Sequence, residues 1–413
     1  MRTRAFRIVR VSSLAATVLA LASLLQLHPK DALDAALNGV AIWWDVLFPA
    51  LFPFFVVSEL MLGVGIVHFF GTLLDPMMRP LFRIPGPGGF VMAMGFASGY
   101  PVAAKLTSQL WDQRMLSRNE SERLVAFTTT ADPIFLIGAV SVGFFHNASL
   151  AAIFAISHYG GAVLVGLLLR MRSRRSPSPA PKREEKKGRS PIVQRAFEAM
   201  HFARLQDGRT LGSLLRDGIQ SGLQLIIVVG GLVVFFSVVI ELLTLANIIN
   251  AIQLAIGAAL ALFGLPSPLS SAIVNGLFEV TLGAKAAGSA EGMDLRAQVA
   301  VAAFGLSWAG LSVHAQVMSI VSHMPVRYVP FSAARLVHGL LSGVIAYTAW
   351  NFLLPIGSAA AAWLPAGAEH PGWETAYTWA PLSALLFFGT LALLPILFVL
   401  RTLAVEFIHR FRI

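Results

Sequence analysis

Lys105 and Lys285 stand inside hydrophobic sequence, each at the end of a stretch rich in helix breakers and hydroxyls. The first stretch reads MGFASGYPVAAK over residues 94–105, and the second reads NGLFEVTLGAK over residues 275–285. A charge in an apolar segment is costly enough to point to a site by default. The chemistry offered is binding rather than bond-making. Ser98, Gly99, Tyr100 and Pro101 have the composition of a hairpin tip, where free backbone donors suit an anionic group and Tyr100 could stack on an aromatic solute. Glu279, within the second stretch, and Asp132, in the span after the first, could each carry a coupling proton or help to hold a sodium ion. Thr281 of the second stretch, Thr128, Thr129 and Ser312 complete the candidate lining.

Each candidate also has a plainer role. Membrane lysines snorkel to an interface or pair with a carboxylate, and Glu279 is the near partner for Lys285, while Lys105 has no acid close in sequence. Asp132 precedes Pro133, so its carboxylate could cap backbone donors freed by a kink. Threonines in membrane helices commonly bond their own backbone or a neighbouring helix. Ser312 and Gln316 share a helical face with His314 nearly opposite, so the three cannot address one pocket unless the helix is broken. Glu59 and Glu241 fit capping or pairing near helix ends, and Trp43 and Trp44 fit interfacial anchors.

The elements that hold these residues belong to a membrane. With 56% hydrophobic and 13% charged residues in a 413-residue chain, an ordinary soluble globule is excluded. The formal charge of +10 lies in segments flanking apolar runs, which reads as positive-inside bias and not as nucleic-acid binding. The absence of cysteine excludes disulfides and thiolate metal sites. Apolar runs at residues 11–27, 34–62, 124–145, 150–169, 214–243, 299–321, 331–354 and 381–400 predict about eight transmembrane helices, the first following Arg2, Arg4, Arg7 and Arg10 as an uncleaved span. Residues 64–83 and 246–263 read as interfacial helices.

Residues 85–113 and 265–291 are too short for two crossings each and too broken for one. They predict re-entrant hairpins, with arms of about 10 to 13 residues that rise about 15 to 20 Å and turn back near the midplane. Broken backbone at that depth needs cover from protein or a polar cavity. The expected organisation is an N-terminal transmembrane anchor (1–33), a first repeat (34–170), a basic disordered cytoplasmic linker (171–212), a second repeat (213–325), and C-terminal transmembrane helices with a basic tail (326–413). With the amino terminus inside, all of the 31 Lys and Arg residues except Lys30, Arg296 and the two hairpin lysines face the cytoplasm.

The halves align. Gly39 matches Gly222, Glu59 matches Glu241, Pro85 and Pro87 match Pro266 and Pro268, Lys105 matches Lys285, and Ala126 and Phe127 match Ala303 and Phe304. The first repeat starts outside and the second inside, so the expected fold is all-α with inverted structural repeats. Broken helices at corresponding places then point to a secondary transporter with its site near the midplane. No Walker loop, metal-binding His pair or dinucleotide fingerprint is present, and no nucleophile and base pair is recognisable, so neither an ATP-driven pump nor an enzyme is expected. No cofactor is expected beyond a coupling proton or sodium ion.

The segments GFASGYPVAAKL, AFTTTADPIFLIGAVSVG, GLFEVTLGAK and GLSVHAQ resemble the YlbJ family of sporulation integral membrane proteins, which carry the nucleoside-recognition gate domain. One departure is Ala103, where the family pattern leads one to expect Gly. The resemblance implies a fold similar to concentrative nucleoside transporters and a role in moving dipicolinic acid across the mother-cell-derived outer forespore membrane. Dipicolinate carries two carboxylates related by a two-fold axis, so Lys105 and Lys285 would suit it as a pseudo-symmetric cationic pair. Expected partners are therefore dipicolinate or a related small anion, the lipid bilayer and a second copy of the chain. A non-transporting scaffold of spore formation and a nucleoside:cation symporter of the same fold are the alternatives.

Overall fold

The computed structural model describes residues 2–133, 135–172, 191–262, 264, 266–290 and 292–361. The span expected at 381–400 and the basic tail lie outside the described residues. Among the described residues every regular element is a helix. Four helices are long and apolar enough to cross a membrane: Ala148–Met171, Leu211–Leu245, Leu295–Ile320 and Tyr328–Thr348. A fifth crossing results if Phe55–Val64 and Ile66–Phe82, bent by 78°, count as one.

In chain order the first elements are α1 (Arg2–Leu27), α2 (Pro29–Ala41), α3 (Phe48–Val64) and α4 (Ile66–Phe82). The bend between α3 and α4 lies at Gly65, whose φ of 87° suits glycine. The helices α5 (Pro87–Ser98) and α6 (Tyr100–Asp112) pack against each other as a hairpin. Nearly all of α5 is buried, including Phe90, Val91, Met92 and Phe96, which explains a helix that is apolar on every side. Next come α7 (Arg118–Thr128), a π-helical stretch over residues 135–144, and α8 (Ala151–Arg172). Ser117 and Glu120 close a capping box that starts α7.

Residues 192–207, expected within a disordered linker, form α9 (Ile192–Asp207). Its mixed charge hides an apolar spacing that docks on α4: Ala196 is fully buried, and the Phe197 and Phe69 rings lie 4.9 Å apart.

The second stretch repeats the order of elements: α10 (Leu211–Leu245), α11 (Ile248–Leu262), the hairpin of α12 (Leu269–Phe278) and α13 (Val280–Gly288), α14 (Leu295–Trp308), α15 (Gly310–Ile320) and α16 (Tyr328–Thr348), followed by α17 (Trp350–Ala361). The helices α2 and α3 pack along α10, with Trp43 Nε1 donating to the Ile226 carbonyl at 2.9 Å. Both α8 and α16 cover α7 and α14. The outer face of α10 leaves Leu211, Leu215, Ile219, Leu223 and Ile227 exposed at a spacing of four, as a lipid-facing helix would.

Candidate functional site

Four helix interruptions meet in the interior. The first is the tip between α5 and α6, where Gly99 takes φ 87° and ψ −178°, a conformation closed to side-chain-bearing residues, and Pro101 opens the next helix. The second is the tip between α12 and α13, at Glu279. The hairpin arms behind it touch backbone to backbone: a Cβ on Gly283 would lie 2.3 Å from the Gly276 Cα. The third is the gap between α7 and residue 135, and the fourth is the joint between α14 and α15, where Ala309 and Gly310 both have positive φ.

Each tip nests against an interruption. The Asp132 carboxylate lies beside Gly99, 3.2 Å from where a Cβ would stand, and Gly310 abuts Phe278 and Glu279. One cross-link runs between the two stretches, where Tyr100 Oη donates to the Leu306 carbonyl at 2.8 Å, and within the second stretch Trp308 Nε1 donates to the Leu277 carbonyl at 3.1 Å.

Between them lies a cavity of about 450 Å³, its open side included. Gly99, Tyr100 and Pro101 line it from the first tip, and Glu279, Val280 and Thr281 from the second. Asp132, Gln316 and the α10 residues Val229 and Val233 also face it, and among the described residues the lining holds no lysine or arginine. The two acids are anchored alike. Asp132 Oδ1 accepts from the Phe135 N–H and Glu279 Oε2 from the Leu282 N–H, both at 2.8 Å. The α13 N-terminus, expected to be open to an anionic solute, is thus capped by the chain's own carboxylate.

The other sequence candidates divide. Thr128 and Thr129 are fully buried and bond their own helix, to the Leu124 carbonyl at 2.7 Å and the Val125 carbonyl at 2.6 Å. Ser98 and Ser312 are fully buried beside the cavity-lining residues Gly99 and Val313, and their hydroxyls have no partner among the described residues. His314 turns away: its Nε2 donates to the Trp308 carbonyl at 2.9 Å and its ring packs 4.3 Å from Trp308.

The two lysines are not brought together. Lys285 is exposed on α13, and Lys105 pairs with Glu59 of α3 at 3.1 Å, Glu59 also accepting from Gln109 at 2.9 Å. Lys105→Ala is expected to cost about 3 kcal/mol, the usual result of stripping one partner from a largely buried pair. The neutral double variant Lys105→Met with Glu59→Gln should recover part of it. Thermal melting of the purified protein reads both, and a double variant no better than the single would contradict this account.

Sequence reasoning overlooked a buried network around the interruptions. His158 Nε2 accepts from the Ala131 N–H at 2.9 Å, so its Nδ1–H donates to Ser307 Oγ at 2.7 Å. Ser307 Oγ donates to Ser342 Oγ at 2.8 Å, and Ser342 to the Ser157 carbonyl at 2.9 Å. Arg335 of α16 is fully buried and donates to the Thr129 and Ser307 carbonyls. The signal was an arginine and a histidine, Arg335 and His338, inside an apolar span.

The cavity's two flanks differ. On the α6 and α15 flank, His323 Nε2, just beyond α15, meets Ser108 Oγ and Asp112, each at 3.3 Å, while Arg327, the cap of α16, grips Glu122 of α7 through Nε at 3.0 Å and Nη2 at 2.9 Å. On the α13 and 135–144 flank, Gly288 presses against the Phe144 carbonyl, where a Cβ would come within 2.4 Å. Partial burial works to raise the Glu122 carboxyl, yet the hydrogen bonds and charge of Arg327 prevail and hold it below its ordinary range. A carboxylate depressed in the folded state stabilises above its unfolded pKa and loses that contribution as pH falls through the folded value. Glu122→Gln is therefore expected to flatten the fall of melting temperature with acidification below pH about 4.5, and an unaltered pH profile would remove the pair from the account.

A family profile described as nucleoside recognition, the gate domain, matches residues 45–163 and 226–324, together just over half of the chain. The chain is also 42% identical over 331 residues to the sporulation integral membrane protein YlbJ of Bacillus subtilis (strain 168), covering 78% of this chain and 80% of that protein. The chain belongs to the YlbJ family. This YlbJ-family protein is an integral membrane protein, as its relative is and as its apolar helices require. The two gate-profile segments hold both hairpins and both interrupted helices, so the family pattern covers the cavity, while α9 and Arg335 fall outside it. No solved structure matches the chain.

Proposed function

We propose that the chain is a secondary transporter that moves a small solute by alternating access. The carrying observation is that residues of both hairpin tips line one cavity. The repeated order of elements supports reading the stretches from α2 to α8 and from α10 to α16 as inverted repeats, with α5–α6 and α12–α13 as re-entrant hairpins within about eight spans. The sporulation relative and the family resemblance make dipicolinic acid the leading solute and the outer forespore membrane the place. Two resident carboxylates face that solute, so a dianion crosses only with protons or cations, and Asp132 and Glu279 are the residues to take them. No catalytic chemistry is assigned.

A second reading, a nucleoside:cation symporter, is favoured by a lining that pairs Gln316 with acids and lacks a basic residue, which suits a neutral polar solute. Proteoliposomes separate the readings. Labelled dipicolinate accumulating under an imposed proton or sodium gradient is the expected result, nucleoside accumulation alone selects the symporter, and uptake of neither leaves a non-transporting scaffold.

A further inference from the structure

A helix that stops in the membrane interior leaves carbonyls without amide partners, and each must find a donor. The helices α7 and α14 both stop among buried residues, one from each stretch. Each helix end brings about half an elementary negative charge, so two ends held close together bring about one. Arg335 meets both. One η nitrogen donates to Thr129, the cap of α7, and the other to Ser307 in the last turn of α14, while the side chain is wholly buried. The guanidinium carries one positive charge and a rigid fork of donors, matching the pair of ends in both charge and geometry.

From this we infer that Arg335 is a positioning residue that clamps the two interrupted helices together across the repeats and thereby holds the cavity's shape. Both η nitrogens are engaged, Nε is buried without a partner among the described residues, and Arg335 does not line the cavity, so its effect on a solute is indirect. The residues it fixes adjoin the lining on both sides: Asp132 follows Thr129 by three residues, and Tyr100, a lining residue, donates to the Leu306 carbonyl next to Ser307. The clamp joins parts far apart in sequence, so α7 and α14 move as one body. A lysine keeps the charge but offers one ammonium in place of the fork, and so cannot serve both carbonyls with the same geometry.

The test uses the full chain in detergent and in proteoliposomes, with Arg335→Met and Arg335→Lys. Amide hydrogen exchange is expected to rise at least about tenfold in both 127–131 and 307–311 for Arg335→Met, and in at least one of them for Arg335→Lys, with the interior of α10 unchanged. For Arg335→Lys, KM for labelled dipicolinate should rise about tenfold while turnover stays within about twofold. Should Arg335→Met not accumulate in membranes, Arg335→Lys carries the test alone. Slow exchange retained at both segments, or an even rise throughout the chain, overturns the clamp. The KM arm rests on the transport reading and the exchange arm does not. Faster exchange at these segments without any dipicolinate uptake would therefore reject that reading and leave the clamp standing.

Discussion

Glu279→Gln is expected to abolish gradient-driven accumulation of dipicolinate in proteoliposomes while leaving one-for-one exchange of internal and external dipicolinate running. Glu279 is 3% exposed, sits at the tip between α12 and α13, and holds the Leu282 N–H. A glutamine side chain offers a carbonyl oxygen to that same N–H, so the cap survives. What disappears is the capacity to alternate between charged and neutral forms. If Glu279 takes up the coupling proton, glutamine mimics the loaded form permanently: the cavity still closes over solute and opens on either side, but no gradient is harnessed. The expected loss in net accumulation is about 100-fold, equivalent to about 2.7 kcal/mol of coupling. Net uptake equal to that of the unaltered protein would remove Glu279 from coupling. Loss of exchange as well, with the protein intact, would make it a solute ligand instead. The same comparison at Asp132, as Asp132→Asn, tells whether the two acids share the load.

Gly283→Ala is the substitution expected to damage the fold most for its size. The added Cβ would stand 2.3 Å from the Gly276 Cα and 2.5 Å from its nitrogen, and backbone on both sides leaves no flexible side chain to give way. The hairpin arms must part, which costs about 3 kcal/mol by the usual scale of overpacking. The matched control is Gly231→Ala on the outer face of α10, where a Cβ meets nothing within 4 Å. There the gain in helix propensity, up to about 1 kcal/mol, should leave melting unchanged or slightly raised. Melting of both variants in detergent reads the difference, and equal values would refute close packing of α12 on α13.

What the sequence made legible were the places where the chain contradicts its surroundings. Gly99 with Pro101, and Glu279 among apolar residues, mark both tips because a breaker or a charge in a membrane segment has few other uses. Asp132 before Pro133 marked the third interruption, and there the capping role weighed for it matches its bond to the Phe135 N–H. Charge pairing over long separations was not legible. Lys105 finds Glu59 46 positions back only because the fold brings the two side chains to 3.1 Å, a tertiary fact that neither local stretch encodes. Arg335 was overlooked for a different reason: the span was read by its apolar average, although a single arginine within it called for a partner. The helix α9 was hidden by its charges, Arg195, Glu198, Arg204 and Asp207, spaced among the apolar residues that dock it on α4.

The unequal flanks of the cavity set unequal thresholds. Parting α6 from the end of α15 means separating the His323–Asp112 pair, groups that are about half exposed and so feel dissolved ions over a screening length of about 8 Å at physiological salt. Parting α13 from residues 135–144 means withdrawing a glycine backbone from the Phe144 carbonyl, a steric contact that dissolved ions do not touch. Raising the salt concentration thus lowers one barrier and not the other. If the chain works by alternating access as proposed, its two openings answer differently to the salt of the surrounding medium.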